Sequence, residues 1–486
     1  MPVQNRIRKV RKRDRSLVPF DQGRIVHALL RAARSAGSFA RDHLPEVNDR
    51  VFIACGGDDE RLAEFLSDMV VATLNRDPRH WIANFPPTVE EIQDVVLHVL
   101  RSFGFVTVAD AYECWRWGKY WVRAGAISPE QFVGNGYPTP FHEETLAWNR
   151  AHDCHTIDGL NDIVRSGKLR WLVEEATERY EARLDEAAAR ILKRIEQGDD
   201  IKLIWVSGPS SSGKTTTTVK LTERLEREGL RFLTLNLDDY FWPVVEHPTD
   251  WLNDRNFETP EALDIHTINR HLRSLLEGKS IEKPIYSFKE GTHVGSKPVR
   301  LGEDQILLLD CLHGFYPPLS AGIDPSQMFR LYIEAASMVY EGDGTTERLI
   351  QFTDTRLLRR MLRDAKHRNH PPLHTLLHWH YVRAGELFSI IPLMGLADVQ
   401  VDGGTPFDLP LVKPFFVPDG IWPSAKSVAP YASFLDARIR YRRIGQLFRS
   451  LAGLTVWEAE DLDLIPGDHL VREFIGGSTL EIPHNE

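Results

Sequence analysis

Cysteine is scarce in this sequence: Cys55, Cys114, Cys154 and Cys311 are four in 486 residues, far apart and with no CxxC pair. That pattern excludes a disulfide framework and a zinc ribbon, and predicts reduced, structural thiols. Long apolar runs are missing too. None approaches the ~20 residues a membrane span needs, so no membrane partner is expected. The opening MPVQNRIRKVRKRDR is basic but lacks an apolar stretch and a small-residue cleavage site, so no secretory signal is read there and the cytoplasm is the expected location. Repeats and low-complexity tracts are absent. Positive charge is not in excess: the formal net charge of −10 opposes a nucleic-acid backbone, which leaves small anionic ligands as the plausible partners.

What is present is ordinary globular sequence, 42% hydrophobic and 26% charged, long enough for two to four domains at ~150 residues each. In the first 125 residues, Ile25, Leu29, Leu30 and Ala33 recur at helical spacing over 22–36, and Ile92, Val95, Val96 and Leu100 do so over 89–103. The turn-rich GNGYPTP at 134–140 suits a linker. A long charged helix is read over 169–197, stopped by Gly198. Beyond it, short apolar runs at 202–206, 232–237 and 306–309 alternate with helical segments, which predicts an α/β domain with a mainly parallel sheet.

Between the first of those strands and the next helix lies GPSSSGKT, Gly208 to Thr215, which fits GxxxxGK(S/T) in the strand-loop-helix context the motif requires. Such a loop, a P-loop, turns its N–H groups around phosphate oxygens, with the helix N-terminus adding partial positive charge. Gly208, Ser210, Ser211, Ser212, Gly213, Lys214, Thr215 and Thr216 are therefore the candidate nucleotide-binding residues. Lys214 reaches the terminal phosphates and Thr215 ligates Mg²⁺. Asp238 and Asp239 follow the next strand, at the sheet edge where ligands gather, and one carboxylate there can take a proton from an attacking hydroxyl. ILLLD ends at Asp310, an apolar strand closed by an acid, suited to the metal. Arg356, Arg359, Arg360 and Arg363 make much of one helical face cationic, a face that can close over a transferring phosphoryl group.

Together these residues resemble the uridine kinase and phosphoribulokinase branch of P-loop kinases. The likeness rests on GPSSSGKT, LDDYF, NFETPEALD, RRMLRD and IPGDHLVREFIGGS and covers roughly residues 200–480. It implies Asp238 as catalytic base, with Lys214, Arg360 and Arg363 as catalytic partners and Arg368 as a further lid arginine. It also implies Glu258 at ribose hydroxyls and, from KPIYSFKEGTH, Tyr286 and His293 beside a base. Asp310 stands where the family usually has glutamate, and DAKHRNHPP has lost the glycine-bearing end of the usual lid.

The N-terminal region is similar to the ATP-cone domain, on Val10 to Asp14, Val18-Pro19-Phe20, Arg24-Ile25 and the closing ADAYECWRWGKYW. The resemblance implies Lys12, Arg13 and Arg24 as ligands of a regulatory nucleotide, a second ATP or dATP. The glycine usual after Asp14 is Arg15, the usual lysine of the first helix is Arg24, and 45–85 reads as an insertion. His152, Cys154 and His155 lack the further ligands a metal site needs. Trp115, Trp117 and Trp121, at helical spacing, read as core or interface.

The expectation is thus an ATP-cone-like, mostly helical domain at 1–125, connecting helices at 126–198, and a uridine kinase-like α/β P-loop domain at 199–486. The reaction expected is Mg²⁺-dependent transfer of the γ-phosphate of ATP to a sugar hydroxyl, foremost the 5′-hydroxyl of uridine or cytidine. Another sugar or sugar-phosphate acceptor, or a non-catalytic nucleotide sensor, stays open, as does assembly into a homo-oligomer.

Overall fold

The computed structural model describes residues 3–481 apart from 82–84, 133–138, 343–347, 369, 419 and 462. The anticipated linker at 134–140 therefore falls largely outside the described residues. The chain forms two compact units, one built on Met1–Lys119 with Pro430–Arg442, the other on Tyr120–Val133, Pro138–Ala429 and Arg443–Glu486. Helices Pro140–Ala151, Ile157–Arg165 and Leu169–Glu196, read from sequence as connectors, group with the second unit.

In the first unit, a hairpin pairs Lys9–Arg11 with Leu17–Pro19. Arg15 sits in its turn at φ 67, a left-handed backbone that explains why glycine is favoured at this point. Helix Val89–Ser102 starts on a reciprocal cap: Thr88 Oγ1 accepts from the Glu91 N–H (3.1 Å) and Glu91 accepts from the Thr88 N–H (2.7 Å). Helix Gly23–Ala36 stops at Gly37, φ 93. Between these helices lies Asp59–Leu74, inside the stretch read as an insertion. It buries Leu62, Leu66 and Val70 against Leu29, Ala33, Val96 and Leu100, so the stretch carries part of the core. Each such side chain contributes roughly 1.5–3 kcal/mol by leaving water.

The second unit is organised by a five-stranded, all-parallel sheet, in the order Val399–Asp402, Met328–Glu334, Leu203–Ser207, Gln305–Cys311, Arg231–Thr234. Leu203–Ser207 is central and buried along its whole length, which is why its sequence is a continuous apolar run. Leu184 and Ile191 of the long helix pack with Leu221 and Leu225 onto Ile204, Val206, Leu308, Leu331 and Val401. The run at 232–237 leaves the sheet at Thr234. Asn236 Oδ1 accepts from the Asp238 N–H (2.9 Å), and this local bond turns the chain into the 3₁₀ turn Leu237–Tyr240. All four cysteines are buried and form no disulfide. Among the described residues no helix is long and apolar enough to cross a membrane.

Candidate active site

The phosphate loop leaves the C-terminal end of the central strand and feeds helix Lys214–Arg227. Its glycines are steric necessities: a Cβ on Gly208 would collide with the carbonyl oxygen of Ile333, and one on Gly213, at φ 95, with Leu470. Ser211 holds φ 60. The hydroxyls of Ser211 and Ser212 are buried without a hydrogen-bond partner among the described residues. Buried polar groups of this kind are normally satisfied, so both hydroxyls keep unused hydrogen-bonding capacity at the loop. Lys214 Nζ folds back to donate to the Pro209 carbonyl (3.0 Å). Burial pulls its pKa down, against the pull of Asp310 and Glu473.

Asp310 closes strand Gln305–Cys311, and its Oδ2 accepts from Thr215 Oγ1 at 3.0 Å. Burial raises the Asp310 pKa, countered by Lys214 and the Thr215 hydrogen bond. One hydroxyl and one carboxylate beside a phosphate cradle fit a Mg²⁺ ion, which takes few protein oxygens and completes its shell with phosphates and water. Asp238 is half-buried and close enough to Asp310 to raise its pKa. Its neighbour Asp239 is committed elsewhere: it pairs with Lys283 and accepts from the Tyr286 N–H (3.1 Å).

The arginine helix, Phe352–His367, does not present an open cationic face. Arg356 and Arg359 are buried to 1% and 0% exposure and grip the phosphate loop from behind. Arg356 donates to the Ser210 carbonyl (3.0 Å) and pairs with Glu386; Arg359 donates to the Ser211 carbonyl (3.3 Å) and pairs with Asp408 (2.7 Å). The expectation of four equivalent arginines closing over phosphate is corrected for these two, because each already has a buried carboxylate of its own. Arg360 reaches the Ser210 hydroxyl (3.0 Å), Glu258 (2.7 Å) and Asp364 (3.2 Å). Arg363 lies 3.8 Å from both Asp364 and Glu473, and its buried Nε has no hydrogen-bond partner among the described residues. Burial lowers it to about 10. Arg368, 41% exposed, faces Asp364 at 3.8 Å.

Glu258 is 7% exposed and, despite burial, Arg360 and His378 hold its carboxyl far below the usual range. Tyr286 and His293 are direct partners across the hairpin Ile281–Ser287/Thr292–Val299, where a register shift after Ile285 absorbs their long sequence spacing. Their rings lie 5.5 Å apart, and His293 Nε2 is 3.2 Å from the Asp239 carbonyl. A cavity of about 500 Å³ opens among Trp242, His247, Asp250, Asn256, Thr259 and Tyr381.

In the first unit, Arg24 is largely exposed and lines a cavity of about 450 Å³ with His27, Arg31, Tyr112 and Trp115. Arg13 is tied to Glu90 (2.6 Å) and Gln93 (3.4 Å). Lys12 sits at the hairpin turn, its N–H donating to the Ser16 carbonyl (2.9 Å).

Comparison with known proteins matches residues 203–319 to the Phosphoribulokinase / Uridine kinase family and residues 8–118 to the ATP cone domain. The chain joins an ATP-cone domain to a uridine kinase-like P-loop kinase domain. Uridine-cytidine kinase B of Dictyostelium discoideum is 27% identical over 203 residues, 42% of this chain and 74% of that protein. Uridine kinase of Deinococcus deserti is 27% identical over 203 residues, 42% of this chain and 87% of its own length. The structure of a possible uridine kinase from Bacillus stearothermophilus aligns with 46% of this chain and 98% of its own, at 16% identity and a TM-score of 0.31. The kinase domain is that of an ATP-dependent phosphotransferase acting on a hydroxyl.

Within the kinase domain the structure brings Thr215, Asp310 and Lys214 together, and likewise Arg360, Glu258 and Ser210. In the cone, among the described residues, no hydrogen bond or ion pair joins Lys12 to Arg24. Sequence reasoning missed Glu473, which accepts from Thr216 Oγ1 (2.9 Å), Asp364, which gathers three arginines, and His378. RRMLRD carried a signal for Asp364; the other two come from segments far away in sequence.

Proposed function

We propose that the kinase domain transfers the γ-phosphate of ATP to a hydroxyl of a sugar-bearing acceptor, foremost the 5′-hydroxyl of uridine or cytidine. The observation that carries this reading is one buried locus holding unpartnered phosphate-loop hydroxyls, an arginine with an unused N–H, and Asp238 beside Asp310. In this reading Asp238 accepts the acceptor's hydroxyl proton while that oxygen forms its bond to the γ-phosphorus and the bond from the γ-phosphorus to the β,γ-bridging oxygen breaks, leaving ADP. Lys214, Arg360 and Arg363 stabilise the oxygens of the moving group, and the loop amides with Ser210, Ser211, Ser212 and Thr216 hold the rest of the phosphate chain. Thr215 and Asp310 would hold Mg²⁺, which supplies charge neutralisation at the phosphates. Glu258, Tyr286 and His293 bind the acceptor, and Arg368 supports the phosphate site from its exposed edge.

The cone, with Lys12, Arg13 and Arg24, serves as a second nucleotide site that tunes the kinase domain, and the functional division follows residues 1–125, 126–198 and 199–486. The test is ADP release at fixed ATP and Mg²⁺ over a panel of nucleosides, sugars and sugar phosphates. Stimulation by a pyrimidine nucleoside is the expected result. Stimulation by no acceptor, with ATP or dATP changing the assembly size instead, would replace the kinase by a sensor.

A further inference from the structure

Glu258 is one link in a largely covered row of alternating charges: Asp254, His378, Glu258, Arg360. His378 Nδ1 lies 2.7 Å from Asp254 Oδ2, and its Nε2 lies 3.5 Å from Glu258 Oε1. Arg360 meets that same Glu258 oxygen at 2.7 Å and the Ser210 hydroxyl at 3.0 Å. The His378 side chain is only 9% exposed. A neutral imidazole has one N–H and one lone pair, so with a carboxylate on each nitrogen it would turn a lone pair toward an anion. Only the doubly protonated ring serves both partners.

The other groups around it agree. On its own helix, Pro372–Ser389, His374 stacks at 6.0 Å with Nε2 3.8 Å from the second Asp254 oxygen. Burial lowers the His374 pKa. Tyr381, 5.5 Å from the His378 ring, donates its hydroxyl to Asp250 (2.9 Å). Arg360, from helix Phe352–His367, is a close cation, set against two carboxylates.

We propose that His378 is a cationic positioning residue for acceptor binding: it fixes the Glu258 carboxylate and shares its charge with Arg360. Glu258 can then accept hydrogen bonds from acceptor hydroxyls while Arg360 keeps its hold on Ser210. This rests on the reading of Glu258 as an acceptor-binding residue. Burial opposes the charge on His378, but the hydrogen bonds to Asp254 and Glu258 outweigh it and push its pKa up to about 9. The folded value lies above the ordinary ~6.5, so the interaction is complete below ~6.5 and is lost as pH rises through about 9.

The experiment is a ring-proton NMR titration of histidines in the full chain from pH 6 to 10, with His378→Gln to assign the resonance. A midpoint well above ~6.5, falling by at least ~1 unit in Asp254→Asn, is expected; a midpoint at or below ~6.5 overturns the proposal. In parallel, ADP-release kinetics with uridine or cytidine should give His378→Ala an acceptor KM about tenfold higher, with the ATP KM changed less than ~3-fold. His378→Gln, which retains one donor, should recover part of that loss. An unchanged acceptor KM in both folded variants overturns the proposal. Failure of the wild-type chain to phosphorylate any acceptor removes the kinase reading instead, and the ring titration then decides the charge of His378 on its own.

Discussion

Each of the two units carries basic residues suited to a nucleotide's phosphates, but they are held in opposite ways. In the kinase domain, Arg356 and Arg359 are buried, Arg360 and Arg363 are mostly covered at 15% and 13% exposure, and each faces at least one carboxylate: Glu386, Asp408, Glu258, Asp364 or Glu473. In the cone, Arg24 and Arg13 are 78% and 40% exposed, each with one carboxylate partner at the surface. The first arrangement costs desolvation during folding and leaves little reorganisation for the moment of reaction. The second leaves the ligand itself to order the side chains, which suits a site whose output is occupancy rather than chemistry.

The sharpest way to break the comparison is Asp238→Asn. Acceptor-dependent ADP release should fall by about a thousandfold while ATP binding, measured by calorimetry, stays within ~3-fold of wild type. Turnover near wild type would remove Asp238 as base. Next comes Arg359→Ala, which strands Asp408 in a fully buried position and should cost about 3–5 kcal/mol, read as a lower denaturant midpoint. A loss below ~1 kcal/mol would mean the buried arginines are not pre-paid supports of the phosphate loop. Smaller again is Glu258→Gln, expected to raise the acceptor KM about tenfold with a modest change in kcat. Least of all in stability is Arg13→Ala: its pair with Glu90 is exposed on both sides, so less than ~1 kcal/mol should be lost. Basal phosphoryl transfer should be unchanged in Arg13→Ala, and only the response to added ATP or dATP should weaken.

The sequence made the phosphate loop, the central strand and the helices at 23–36, 89–102 and 169–196 legible because their signals are local: glycine spacing, a continuous apolar run, caps and heptad-like periodicity. Asp310 was legible as an acid closing a strand, and Thr215 as its partner. The arginine helix was half legible. Its spacing exposed the charge but not the burial, because Glu386 and Asp408, which neutralise it, lie 30 and 49 residues downstream. Tyr286 and His293 are brought opposite each other by the hairpin register, which their sequence spacing alone does not reveal. His378 gave no local signal at all, since Asp254 lies 124 residues upstream and Glu258 comes from the same distant stretch.

Helix Lys214–Arg227 rests on a segment that comes very late in the chain: Thr216 bonds Glu473, 257 residues on, and Gly213 is pressed by Leu470. During synthesis, the glycine-rich loop therefore emerges long before the groups that finish it. At ~5–20 residues per second, some tens of seconds separate the two. Over that interval the loop lacks the groups that brace its helix, and closing so long-range a contact is a slow step in folding.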